Sequence, residues 1–186
     1  MIPIKSERDL RIMRKSCEIA ANVLDEICRL AAPGVSTWEL DRAAKRIMEK
    51  HHCRSAEYKY KCGSLRYPGY VCISVNDQVI HGIGSKDRIL KDSDIVSFDC
   101  ATIFQGFVGD NTRTVYIGEP SPEVRRLVET TAEALNLGIE MARPGNRVGD
   151  ISAAIQRHVE SRGFGVVREF TGHGVGRSMH EEPEVP

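Results

Sequence analysis

The sequence predicts a mixed α/β (α+β) chain made of two similar halves, each a pair of helices followed by antiparallel strands, with the second half incomplete. Three observations carry this. Apolar residues recur at helical spacing in four stretches, paired about Pro33-Gly34 and Pro144-Gly145. β-rich runs fill residues 58–118 between the two pairs. Finally, APGVSTWELDRAAKR matches RPGNRVGDISAAIQR at a single offset (144 − 33 = 111), with Pro33 on Pro144, Leu40 on Ile151, Ala43 on Ala154 and Arg46 on Arg157. The repeat divides one domain of 186 residues into a first half, 1–118, and a partial second half, 119–186.

Ser6 to Leu30 reads as the first helix, with Ser6 as N-cap, Glu7 and Asp9 in the first turn, and Ile12, Ile19, Val23, Leu24 and Ile27 inward. Pro33-Gly34 stops it. Ser36-Thr37-Trp38-Glu39 is a capping box that opens a second helix to about Lys50. Tyr58 to Ile80 alternates and is rich in Tyr, Val and Ile, which predicts strands broken at Tyr67-Pro68-Gly69. Asp94 to Gly118 follows as a hairpin about Gln105-Gly106. Ser121-Pro122-Glu123 begins a helix to about Ala142, and Val148 to about Glu160 forms the last one.

Lys+Arg and Asp+Glu are equal at 26 each, so bulk charge recruits neither nucleic acid nor an anionic membrane. No apolar run reaches transmembrane length and the N-terminus has no signal-peptide core, so a soluble cytoplasmic protein is expected. The six cysteines (Cys17, Cys28, Cys53, Cys62, Cys72, Cys100) lack C-x-x-C spacing and read as small buried apolar residues.

The chemistry concentrates in two stretches. Asp99 and Asp110 interrupt the two arms of the hairpin, and strand cores exclude lone carboxylates because an unpaired buried charge is costly. With a two- or four-residue loop, their odd separation puts both on one face. Two ionised carboxylates at 4 Å repel by about 4 kcal/mol at an effective dielectric of about 20, so they share a proton or hold a cation. Alternatively, one acid lies exposed at the turn and a bulge breaks the register. In REFTGHGVGRSMHEEP, Gly172, Gly174 and Gly176 strip one face of an extended segment, so that a ligand or another backbone can approach. His173 there suits a metal ligand, and His180 stands beside Glu181 and Glu182. His81 ends a β-rich run beside two glycines. His51-His52-Cys53 lies at a helix end and reads as solvated; His158 reads as structural.

VCISVNDQVIHG, LKDSDIVSFDC, GFVGDNTRT and TGHGVGRSMHEEP, in this order and spacing, resemble type I methionine aminopeptidases of the bacterial sort, over essentially the whole chain. The resemblance implies the pita-bread fold, with strands inside and helices outside two pseudo-symmetric halves. It implies Asp99, Asp110 and His173 as ligands to two divalent ions (Co, Mn, Fe or Zn), with Asp110 bridging. His81 and His180 match substrate-contacting, catalytic histidines. Tyr67 and Cys72 match positions lining the methionine pocket, and Met179 stands where relatives often carry Phe. The implied activity is removal of the initiator methionine from nascent chains, near the ribosome, when the next residue is small. Relatives with the same fold cleave at proline, and a non-catalytic binding remnant of the fold is the alternative from another class.

The resemblance also implies two further glutamate ligands beyond Pro186, which Glu181, Glu182 and Glu184 do not replace. The expectation is a chain with three of five ligands that turns over poorly alone and that a C-terminal piece or a second copy completes.

Overall fold

A computed structural model describes residues 2–186, the side chain of Cys62 excepted. Its contacts divide the chain into two compact units: Ile4–Pro120 with Val175–Met179, and Ser121–Gly174 with His180–Pro186 and the extreme N-terminus.

In the first unit, α1 (Glu7–Leu30) starts where Ser6 Oγ accepts the Asp9 N–H and the Asp9 carboxylate returns to the Ser6 N–H. The same reciprocal cap, between Ser36 and Glu39, opens α2 (Thr37–Lys50). Gly34 joins them at φ +88°, a left-handed turn that L side chains resist. Three short strands follow: β1 (Arg54–Ser55), β2 (Lys61–Cys62) and β3 (Leu65–Arg66). Then come β4 (Cys72–Val75), β5 (Ile95–Phe104) and β6 (Phe107–Tyr116). β6 pairs with β5 along its whole length; β4 and β1 share the other edge of β5, all antiparallel.

One face of this sheet is apolar. Ile73, Val75, Val96, Phe98 and Cys100 are almost wholly buried and join Ile19, Val23, Leu24 and Ile27 of α1 and Leu40, Ala44 and Met48 of α2 in one core. Each large side chain buried this way stabilises by about 1.5–3 kcal/mol. The α1 backbone comes so close to β6 that a Cβ on Gly109 would sit 2.4 Å from the Ser16 carbonyl, while Ser16 Oγ donates to the Phe107 carbonyl at 2.9 Å.

The strands expected over Tyr58 to Ile80 are shorter than the alternation suggests. The chain leaves the sheet at Asn76 (φ +57°). The Asn76 amide accepts the Ile95 N–H at 2.9 Å and donates to Asp94 at 2.8 Å, so it closes the edge instead of continuing it. Val79 and Ile80 consequently lie exposed, without strand partners.

In the second unit, Ser121 caps α3 (Pro122–Met141), and α4 (Val148–Ser161) begins after a left-handed Gly145 at φ +94°. Gly145 lies 111 residues after Gly34 (145 − 34), so both helix pairs turn through the same backbone geometry. Thr130, Ala134 and Gly138, four apart, form a buried seam on α3, and a Cβ on Gly138 would meet Ile155 of α4 at 2.9 Å. β7 (Gly172–Gly174) and β8 (Glu181–Val185) form a two-stranded antiparallel ladder, irregular between His173 and Gly174.

Candidate functional site

The hairpin turn is the two-residue link Gln105-Gly106, both at positive φ (49° and 80°), and Phe104 pairs with Phe107. From there the register runs Ala101 opposite Asp110 and Asp99 opposite Thr112. Cross-strand partners share a face, as do residues two apart, so Asp99 and Asp110 lie on one face as diagonal neighbours. No bulge breaks the ladder, and the face is the one turned away from the core. Both acids are half-buried. Polar neighbours surround the pair on this face: Ser97 and Thr114 share a hydrogen bond of 2.7 Å, and Thr112 Oγ1 donates to Asp99 Oδ1 at 2.8 Å, which orients that carboxylate.

Cys72 stands directly opposite Asp99 on β4. Burial pushes its thiol up to about 12, and the nearby acids add to that, so it remains a neutral thiol and not a nucleophile. Burial likewise raises the neighbouring Tyr67 phenol, whose hydroxyl reaches the Gly82 carbonyl at 2.7 Å and the Val71 carbonyl at 3.2 Å. Tyr67 thereby ties the stretch before β4 to the segment carrying His81. A Cβ on Gly82 would fall 2.2 Å from the Ile73 carbonyl, so glycine there lets the His81 segment lie flat on β4, with Gly82 N–H donating to Ser74. His81 itself is exposed at φ +57°. The buried Asp41 on α2 holds the stretch before β4, accepting from the N–H groups of Tyr70 (2.5 Å) and Val71 (3.3 Å).

A third acid belongs to this neighbourhood and sequence reasoning passed over it. Glu57 is 6 % exposed; its Oε1 accepts the Ala101 N–H and its Oε2 the Ser55 hydroxyl, both at 2.8 Å. Burial pushes its carboxyl up to about 8, against those hydrogen bonds, and the negative Asp99 adds to the rise. In RSAEYKY it sits beside Lys59 and reads as one more solvated charge, and no periodicity marks it as buried.

In the second unit the rings of His173 and His180 lie 4.2 Å apart, tilted by 50°. His173 Nδ1 is 3.1 Å from the Gly174 carbonyl, a contact that puts the proton on Nδ1 and the imidazole lone pair on Nε2. What the stripped glycine face admits is another backbone: a Cβ on Gly174 would meet the Glu182 carbonyl of β8 at 2.7 Å. His158 pairs with Glu133 at 2.9 Å. In the first unit, Met179 is half-buried at the end of a segment whose Gly176 carbonyl accepts the Val108 N–H, and His51 pairs with Glu26 at 3.2 Å. Cys72 and Cys100 are buried and Cys17, Cys28 and Cys53 half-buried; all five are free thiols.

An antiparallel sheet that carries two neighbouring carboxylates on one face is a layout a metal-dependent hydrolase can use. The model of metallopeptidase family M24 matches residues 11–186, and the chain belongs to that family. Within the family its likeness is to methionine aminopeptidases. It is 45% identical over its whole length to that of Clostridium acetobutylicum, 73% of which it covers. The crystal structure of methionine aminopeptidase from Rickettsia prowazekii superposes with a TM-score of 0.95 at 38% identity, covering 100% of this chain and 73% of the other. Prolidase from Pyrococcus furiosus, at 23% identity and a TM-score of 0.84 over 98% of this chain and 51% of its own, shares the fold.

A metallopeptidase works with divalent metal ions. The diagonal carboxylates suit such an ion in charge and donor type, since hard oxygen donors on adjacent strands otherwise repel. Among the described residues, no group of three or more His, Cys, Asp and Glu is gathered about one metal position. No described helix is long and apolar enough to cross a membrane.

Proposed function

We propose that this chain carries the metal and substrate groups of a methionyl aminopeptidase, with Asp99, Asp110 and His173 as ligands to two divalent ions (Mn, Fe, Co or Zn) and nascent-chain N-termini as substrates. The observation that carries the reading is the same-face placement of Asp99 and Asp110. The ions, when bound, supply Lewis acidity toward water and the scissile carbonyl. The protein's own part is orientation. Thr112 steers Asp99, and the Nδ1 hydrogen bond of His173 leaves the lone pair on Nε2 for a metal. His180 donates to the scissile carbonyl oxygen and His81 stands by the leaving amide nitrogen. Tyr67, Cys72 and Met179 line the methionine side-chain pocket; the first two stay uncharged through neutral pH, as a thioether requires. Preference for methionine over proline substrates is supported by 31–46% identity to methionine enzymes against 23–26% to prolidases.

Calorimetric titration with Mn²⁺, followed by assay of Met-Gly-X and X-Pro peptides with and without a separately made C-terminal segment, tests this. Cleavage of Met-Gly-X, lost in Asp99→Asn together with Mn²⁺ binding, is the expected result. Mn²⁺ binding that survives Asp99→Asn and Asp110→Asn overturns the ligand assignment; preferential X-Pro cleavage overturns the substrate.

A further inference from the structure

The sequence places Trp38, Arg42 and Lys45 at positions i, i+4 and i+7 of α2, so they share one face of the helix. The loops beside that face complete a row of alternating cations and rings. Lys86 Nζ lies 4.8 Å from the Trp38 ring centroid, and the Arg42 guanidinium lies 5.8 Å from Trp38 and 4.8 Å from Tyr70. Tyr70 stacks on Tyr58 with centroids 4.4 Å apart and planes within 9°, and Lys59 Nζ lies 5.1 Å from Tyr58. Lys45 flanks the row, 5.7 Å from Tyr70. Cation–ring pairs of this kind occur about once per 70–80 residues, so five on one patch is a concentration, not a background.

The core does not account for it. Trp38 and Tyr58 are 37 % and 38 % exposed; Lys59 and Lys86 are exposed, and Arg42 and Lys45 half-buried. A depression of about 430 Å³ opens between Trp38, Glu39, Arg42, Lys45, Arg46 and Glu49. Its acids are engaged: Glu39 in the cap of α2, Glu49 with Lys45 at 3.5 Å. Asp41, which grips Arg42 at 2.5 Å, is buried, so it fixes the guanidinium without contributing exposed negative charge. The Arg42 Nε is buried with no hydrogen-bond partner, so the head is held by Asp41 and by the rings. Nearby in sequence, β2 and β3 add Lys61 and Arg66. The zero net charge of the whole chain therefore conceals a local basic surface.

We propose that this cation–aromatic row is a binding surface for single-stranded RNA, with the cations on phosphates and the exposed Trp38 and Tyr58 rings against bases. Charge complementarity selects a polyanion. Exposed flat rings favour a nucleic acid over an acidic peptide, because every base offers a π-face and a carboxylate side chain offers none. The surface is independent of the hydrolytic reading, since none of its residues is assigned to the metal or substrate groups.

The chain carries a single tryptophan, so Trp38 reports its own surface. An oligouridylate dodecamer should quench Trp38 emission, and anisotropy of the fluorescein-labelled oligomer should give the same affinity. With Lys45, Lys59 and Lys86 on phosphates, log K against log salt should fall with a slope of about −2, at about 0.7 per phosphate for a single strand. Lys59→Glu/Lys86→Glu should weaken binding at least about tenfold with an unchanged melting temperature; for a variant that fails to fold, Trp38→Ala read by anisotropy replaces it. Unchanged Trp38 emission at saturating RNA, wild-type affinity in these variants, or equal affinity for an oligoglutamate of the same length overturns the proposal, the last by making the surface one for acidic peptides.

Discussion

The Glu57 carboxyl takes the main-chain N–H of Ala101 at 2.8 Å, the cross-strand partner of Asp110 and two positions from Asp99. β1 ends at Ser55, so a side chain replaces the strand as acceptor at the point of β5 that carries the acids. This carboxyl is pushed from 4.5 up to about 8 by burial. Between those values the folded chain keeps a proton that the unfolded chain has lost. Unfolding then releases a proton, and stability falls as pH rises from about 4.5 to about 8, with no further loss above. Urea midpoints of the chelator-treated protein should follow that course, and Glu57→Gln should flatten it.

Gly109→Ala should cost about 1–3 kcal/mol or more, because the new methyl meets the α1 main chain and not a flexible side-chain end. Chemical denaturation measures it. A loss below about 0.5 kcal/mol would mean that α1 can lift from β6 without strain.

Thr112→Val preserves shape but removes the hydroxyl that donates to Asp99. On the ligand assignment proposed above, Mn²⁺ affinity should drop about 10- to 100-fold. Thermal stability of the metal-free protein should stay nearly constant, since Thr112 is exposed. Calorimetry beside a thermal melt separates the two effects.

Asp41→Ala removes the acceptor of two buried N–H groups and the partner of Arg42. A loss of about 1–3 kcal/mol is expected, the cost of leaving a buried N–H without its acceptor. Hydrogen exchange should accelerate first at Tyr70 and Val71, which lie beside Tyr67 and Cys72.

Much of this was readable beforehand because it is local. Ser6 and Ser36 announce their caps within three residues, the Gln105-Gly106 turn fixes the hairpin register, and parity then puts Asp99 and Asp110 together. Elements that depend on distant partners were not readable. The run from Asn76 to Ile80 has strand composition, yet the Asn76 amide is spent on Asp94 and Ile95, far along the chain. Glu57 looks like a surface acid until β5 closes over it. The glycines around His173 were legible as a stripped face, but their spacing could not say that β8 would fill it. The aromatic row was missed for the same reason: its rings come from three separate segments, and only Trp38, Arg42 and Lys45 share a helical repeat.

The two-residue turn also dictates which kinds of length change this region tolerates. Deleting or adding a single amino acid between Cys100 and Gly109 would rotate one arm half a pleat, sending either Asp99 or Asp110 toward the oily side beneath α1. Gains or losses in pairs would keep both acids facing the same way and alter only how far apart they stand. Frame parity at this one bend, more than the identity of any single neighbour, decides whether the pair survives a rewrite of the loop.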